Sequence, residues 1–525
     1  MVCVKRQLAR ERLLRRTVAV GAVLTVVLLC EALMAGAMLK PVSRDEHNYC
    51  AAAVLLGQGR AIYRDFAYPS QLPYHPLLLA AVYRVFDTAH YLLAGRLVSV
   101  FCDIAVLLSI VGIYRRIFGG HRLEGLVFGL AAGVFYVFNP LVDYAAGYAW
   151  NHDVVIFCVI LAFWLFLTVD FQRGPCIWRV AAMGALLTFA TCMRVTTALV
   201  ELLFLVAVLA SAGGSVRARL RAALPFSLAG LAVAAWPIWV CAQAPEAVWL
   251  NLVRMPVLYG QWLRKIGMVH GKVTMTKFCL TEPGYLVLLA VSGCLLWVAV
   301  RRWSNLSVMT RRNLIVASAL PLCFSVIAFI PPTMWDQYWA APVPFLAISL
   351  AFPLAGLCRG ADRVEGKRTF RMASWAVFIG AVMTVMAHPV VLYRLRDATV
   401  PQQWAPIVLH RISTDMAGRA KDPKRVLTLG PLYALEGGSS IYPELSSGSI
   451  AYRIADALSE NERATSHTVG PTTLKPLVEQ APPAAVVVGV ESPQFSFLEE
   501  SLQSSTGSNW PVETYPKGLR AYFRP

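Results

Sequence analysis

The sequence predicts an α-helical polytopic membrane protein of about eleven transmembrane helices, followed by a small α/β domain. Three observations predict it. Hydrophobic residues make up 57% of the 525-residue chain and charged residues 15%, where a soluble protein carries about a quarter charged; the mean hydropathy is +0.56. Apolar runs of about twenty residues, the length that crosses a bilayer as a helix, recur up to residue 392. From 393 to 525 the composition turns polar, with frequent Pro, Gly and Ser, over a length sufficient for a small soluble domain.

The apolar runs lie near 17–40, 90–113, 123–140, 152–170, 179–195, 197–213, 222–243, 284–300, 313–330, 339–357 and 372–392. The first follows "MVCVKRQLARERLLRR" and has the outline of a signal peptide. Its apolar stretch continues to Leu39, so an uncleaved first helix is expected. The runs at 179–195 and 197–213 are almost continuous, and merging them would invert every later segment.

Charge placement favours keeping them separate. With the N-terminus in the cytoplasm, the inward segments are "KRQLARERLLRR", "RRIFGGHR", "RARLR", "RRWSNLSVMTRR" and "RGADRVEGKRTFR". The short outward loops "NPLVDYAAGYAWN" and "PPTMWDQYW" contain no Lys or Arg. This is the positive-inside pattern. The longer outward loop 244–283 breaks it with Arg254, Arg264, Lys265, Lys272 and Lys277, which need a function or an exemption for loop length. The C-terminal domain then lies outside the cytoplasm. There "RVLTLG" and "AAVVVGV" read as short buried strands and "GSIAYRIADALSE" as a helix start.

The net charge of +18 does not point to nucleic acid, because the arginines bunch between apolar runs instead of lining one face of a soluble domain. Most of the 12 cysteines sit inside apolar stretches, as Cys30, Cys102, Cys158 and Cys294 do, and none forms a C-x-x-C pair. They read as small core residues. The abundance of Ala, Val, Leu and Arg suggests a bacterial inner membrane.

The chemistry gathers on the outer side. Asp45 and Glu46 follow the first span directly, and Asp65, Asp143, Asp153, Asp336 and the 244–283 loop lie on the same face. Helix 179–195 brings Arg194 to that leaflet. Ionisable residues at a membrane boundary are functional candidates by default, although Asp65 and Asp143, taken singly, read more readily as solvated loop acids. "DEHNYCAAAVLLGQG" is expected to form a short interfacial helix ended by Gly57 and Gly59. The acidic pair stands at its N-terminus, where the helix dipole favours carboxylates.

"SRDEHNYCAAAVLLGQGRAIYRDFAYPSQLPYHP", with its acidic pair, "YRDF" and prolines, is followed by an Arg in the second span, Arg96. "AWNHDVVIF" follows, with Asp153, and then "MWDQYWAAPVPFLAI", with Tyr338. In order, over roughly residues 40–355, these resemble GT-C glycosyltransferases, closest to family 39 with its protein O-mannosyltransferases and the aminoarabinose transferases. The resemblance implies a GT-C fold. It also implies a polyprenyl-phosphate sugar donor and transfer to a lipid, glycan or protein acceptor on the outer face. In those aminoarabinose transferases a Glu-Lys precedes the prolines, and the Lys touches phosphate. Here Ser70, Gln71 and Leu72 stand instead, so that contact must come from elsewhere or be missing.

Outside the cytosol no nucleotide sugar is supplied, so an activated sugar must arrive on a membrane lipid. Transfer to a hydroxyl needs a general base, and the departing phosphate needs cations or a metal. Asp45 is the expected base, with Glu46 orienting it or holding the acceptor, and Asp153 is the second acidic site implied by the resemblance. Arg194 is the first candidate for the phosphate, followed by Arg64, Arg96, Arg264 and Lys265. Asp65, Gln71 and Tyr338 are candidate donor or acceptor contacts. For Arg96 an interhelical hydrogen bond to a backbone carbonyl is an equal alternative. No cofactor is assigned and a divalent metal stays open, since His75 and His152 are either ligands or satisfied interfacial histidines. A secondary transporter or flippase of an anionic or lipid-linked substrate is the rival function. Its usual broken helices in corresponding halves are not evident. Tyr433 and Tyr442, in the loop-rich stretch of the C-terminal domain, suit either sugar stacking or a core.

Overall fold

The computed structural model describes residues 2–171, 176–269, 271–360 and 364–525, with side chains from residue 16 onward except that of Asn305. Each of the eleven predicted apolar runs coincides with a helix. Among the described residues seven are long and apolar enough to cross a membrane: Arg16–Leu39, Tyr91–Phe118, Val216–Gln243, Pro283–Arg301, Val308–Phe329, Asp336–Arg359 and Val364–Ala387. The other four are shorter: Arg122–Val137, His152–Thr168, Ile177–Thr191 and Ala198–Ser211. The last two are separate. Arg194 lies in the link between them in extended conformation (φ −141°, ψ 98°), beyond the end of the helix that was expected to carry it.

The helices pack through small residues, as apolar helices in lipid must when no hydrophobic force draws them together. At Gly184 an added side chain would collide with the backbone carbonyl of Phe226 on the neighbouring helix Val216–Gln243. That helix turns Leu220, Leu224, Leu228 and Leu231 outward, an apolar stripe suited to lipid.

Between the first two long helices, α1 (Val2–Leu39) and α4 (Tyr91–Phe118), run two short ones, α2 (Arg44–Gly57) and α3 (Tyr74–Val85). The expected interfacial helix is α2. Ser43 caps it, and the Glu46 carboxylate returns to the Ser43 amide at 2.8 Å, closing a capping box. The loop expected to face outward folds as helices Met255–Lys265 and Lys272–Thr281.

The C-terminal part carries a mixed sheet of β1 (Arg425–Thr428), β2 (Ser440–Ile441), β3 (Ala485–Val488), β4 (Val512–Thr514) and β5 (Arg520–Phe523). Its order is β2-β1-β3-β5-β4. The two strands expected from the sequence are its centre: β1 and β3 pair in parallel, Leu427 opposite Val486, and β3 is buried along its length. The expected helix start becomes Ser449–Ala455. Tyr442 belongs to this core and donates to the Ala481 carbonyl, whereas Tyr433 is half-buried beside the ring of His47. The unit seats on the membrane part through specific bonds. Leu92 N–H donates to Glu436 at 2.7 Å, Leu432 N–H donates to His47 Nδ1 at 3.4 Å, and Arg44 pairs with Glu491 at 3.4 Å. Burial, helped by Arg44, pushes His47 down to about 3, so its ring is neutral and free to accept.

Candidate functional site

Successive residues of a helix point about 100° apart, and at the start of α2 this separates the acidic pair. Glu46 turns into the protein and is fully buried. Its carboxylate takes two hydrogen bonds from Arg96, from Nε and Nη2, each at 2.8 Å, and one from Ala149 N–H at 2.8 Å. Arg96, also fully buried, spends its remaining donors on the carbonyls of Ala37 (2.6 Å), Lys40 (2.9 Å) and Pro41 (3.1 Å). The pair therefore locks the end of α1, the start of α2 and helix α4 together. Neither residue reaches open space, and Arg96 makes the carbonyl bonds of the alternative reading as well as an ion pair.

Asp45 turns the other way, into a cavity of about 1060 Å³. Its carboxylate has no hydrogen-bond partner among the described residues and is only partly exposed. Burial raises its pKa, Glu46 adds to the rise, and Arg44 and Arg453 oppose it. A half-desolvated, unpartnered carboxylate facing a cavity is well placed to accept a proton.

Arg194 lines the same cavity. Its guanidinium lies 5.1 Å over the ring of Tyr338, and among the described residues no carboxylate is within ion-pairing distance. It is therefore a cation held by an aromatic face and free for an anion. Gln71 and Tyr338 also line the cavity, Gln71 held by a 2.8 Å bond from Asn151. One side of the chamber is apolar, with Phe278, Ile327, Ile330 and Pro331.

The other expected site residues lie elsewhere. Asp153 is buried behind the cavity, accepting Gly147 N–H at 2.9 Å, while its neighbour His152 lines the wall. Arg64 and Asp65 pair with each other at 2.9 Å near the surface, and Asp65 accepts Ala61 N–H at 2.7 Å. Arg264 and Lys265 stand exposed at the end of Met255–Lys265. None of these five lines the chamber. Of the loop's other cations, Arg254 pairs with Glu462 of the C-terminal unit at 3.5 Å, and Lys272 donates to the Phe329 carbonyl at 2.5 Å. Asp143 is not a solvated loop acid: it bonds His388 at 2.8 Å and Arg394 at 2.6 Å. Burial would raise its pKa, but His388, Lys40 and Arg394 outweigh it and hold it at about 2. His75 and His152 are both buried, and neither belongs to a cluster of three metal-ligating side chains among the described residues.

Sequence reasoning missed the wall contributed by the C-terminal unit: Ile450, Arg453, Ile454, Gln494 and Phe495. Arg453 is buried between Phe495, whose ring centre is 4.2 Å away, and Trp262, at 5.2 Å. It donates to Tyr259 at 3.2 Å and to Glu491, the carboxylate that also holds Arg44. The available signal was a lone arginine in the otherwise apolar "SIAYRIA".

No family model matches the chain, and no curated protein matches it. Solved structures do. A crystal structure of ArnT from Cupriavidus metallidurans bound to undecaprenyl phosphate aligns with a TM-score of 0.60 at 15% identity, covering 95% of this chain and 97% of that one. The apo state of the same ArnT gives a TM-score of 0.61 at 14% identity, covering 96% and 98%. The chain thus has the ArnT-like GT-C fold that the ordered motifs implied.

Proposed function

We propose that this chain is an integral-membrane glycosyltransferase that moves a sugar from a polyprenyl-phosphate donor to a hydroxyl of a lipid, glycan or protein acceptor on the extracytoplasmic side. The observation that carries the reading is the pairing, in one chamber, of an unpartnered carboxylate and an unpartnered guanidinium, Asp45 and Arg194. A transfer from a lipid phosphate needs those two groups. Asp45 takes the acceptor's hydroxyl proton as its oxygen bonds to the anomeric carbon. The bond from that carbon to the phosphate oxygen breaks, and Arg194 meets the charge left on the phosphate. The apolar side of the chamber suits the prenyl chain. Glu46 and Arg96 act on the reaction only by positioning, because their bonds set the angle at which α2 presents Asp45.

The ArnT fold, whose bound form carries undecaprenyl phosphate, supports the donor class. The charge asymmetry of the loops supports a cytoplasmic N-terminus and an extracytoplasmic C-terminal domain, and the abundance of Ala, Val, Leu and Arg supports a bacterial inner membrane. Reconstitution with a labelled polyprenyl-phosphate sugar tests the reading. The transferase releases free polyprenyl phosphate in the presence of membrane extract as the acceptor source. A transporter or flippase relocates the labelled lipid intact, and that result would replace the proposal.

A further inference from the structure

We propose that His90, His410 and Glu436 form a binding site for a divalent transition-metal ion, zinc by class, which fastens the C-terminal unit to helix α4. The three residues come from three places in the chain: the position before α4, helix Ala405–Arg419, and the turn after Leu432–Leu435. Their ligating atoms all lie within 4.8 Å of one another. None of the three lines the chamber, so this site is separate from the proposed chemistry.

The details favour a ligand set over an ordinary hydrogen-bonded cluster. Glu436 is buried and divides its oxygens: Oε1 accepts Leu92 N–H at 2.7 Å, while Oε2 faces His410 Nδ1 at 3.1 Å. A backbone amide that holds one carboxylate oxygen and aims the other is the outer-shell support metal ligands have. The imidazoles of His90 and His410 stack with ring centres 3.6 Å apart and planes 28° apart. His90 Nδ1 is buried and makes no hydrogen bond among the described residues. A buried ring nitrogen without a partner, beside a second imidazole and an aimed carboxylate, is a Lewis base without an acid.

Two imidazoles and one carboxylate select a borderline cation, zinc, cobalt or nickel, over magnesium or calcium, which prefer oxygen alone. Both histidines are half-exposed, which provides an entry path. On binding, the rings turn about χ2 from stacked to splayed, so that their in-plane lone pairs converge with Glu436 Oε2. His410 takes the tautomer with its proton on Nε2, which leaves the ring neutral and the Nδ1 lone pair free to ligate, and water completes the coordination. The metal then ties the membrane part to the unit that supplies Arg453 and Phe495 to the chamber.

The test uses the full chain, purified in detergent without chelator and with any affinity tag removed. Metal analysis is expected to find near-stoichiometric zinc, lost in His90→Ala and in Glu436→Gln. Chelator-stripped wild-type chain is expected to bind added Co²⁺ with a visible d–d absorption, and to unfold at a higher temperature with Zn²⁺ than without. Neither measurement depends on variants folding or on any transferase substrate. A stripped wild-type chain that gives no Co²⁺ spectrum and no Zn²⁺-dependent shift, or folded variants that retain full metal content, overturns the site.

Discussion

Glu46 and Arg96 form a two-toothed ion pair, 2.8 Å at each contact, with both side chains wholly shielded from solvent. Removing one member of such a pair strands the other's charge and typically costs about 3–5 kcal/mol. Glu46→Ala is therefore expected to lower the thermal unfolding midpoint sharply. Arg96→Lys, with Glu46 intact, should lower it as well, since an ammonium cannot bridge both oxygens and three carbonyls. Glu46→Ala with unchanged unfolding but no transfer would make Glu46 a participant in the chemistry.

Asp45→Asn changes one exposed-side oxygen to an amide and breaks no hydrogen bond of the carboxylate, since none is made within the described residues. The variant should fold and insert normally. Its rate of polyprenyl phosphate release should fall by about 10²- to 10⁴-fold, the usual contribution of a general base.

The same carboxylate sets a pH dependence. Burial, with Glu46 behind it, places the pKa of Asp45 above the ordinary carboxylate value. The proposed base works only when ionised, so the rate should fall as pH drops through that raised pKa, with the acid limb displaced upward from the ordinary carboxylate range. Plots of log kcat/KM against pH check this. The limb should be missing from the residual activity of Asp45→Asn.

Arg194 separates binding from proton transfer. A charge-assisted hydrogen bond contributes about 1.5–3 kcal/mol, so Arg194→Gln should bind undecaprenyl phosphate about 10- to 100-fold more weakly. Asp45→Asn should bind it nearly as the wild type does. Titration followed by intrinsic tryptophan fluorescence reads both, and equal affinities in all three proteins would remove Arg194 from the phosphate site.

Asp143 predicts the acid stability. Its folded pKa of about 2 lies below the ordinary carboxylate value of 3.8. A depressed carboxylate contributes stability that is present above its unfolded pKa and lost as pH falls through the folded one. Wild type should thus exceed Asp143→Asn in stability by a constant margin above about pH 4. The margin should shrink towards zero near pH 2, as unfolding at graded pH would show.

Much of this protein was legible in its sequence, because the controlling physics was local. Twenty apolar residues form a helix wherever lipid surrounds them. The loop charges kept 179–195 and 197–213 apart, and the acidic pair at one end and Gly57 and Gly59 at the other marked out α2. The two central strands were equally plain as short β-branched runs. What tertiary structure alone decided was the division of labour within those elements. Asp45 and Glu46 are neighbours of nearly identical chemistry, and only the placement of Arg96, fifty residues on, determines which of the two is neutralised and which is left facing the chamber. Arg64, Arg264 and Lys265 had the right charge on the expected side but fold away from the chamber. Arg453, far along the chain in another unit, forms part of its wall. Periodicity and composition act over a few residues; a cavity is made by side chains that meet only after the chain has folded.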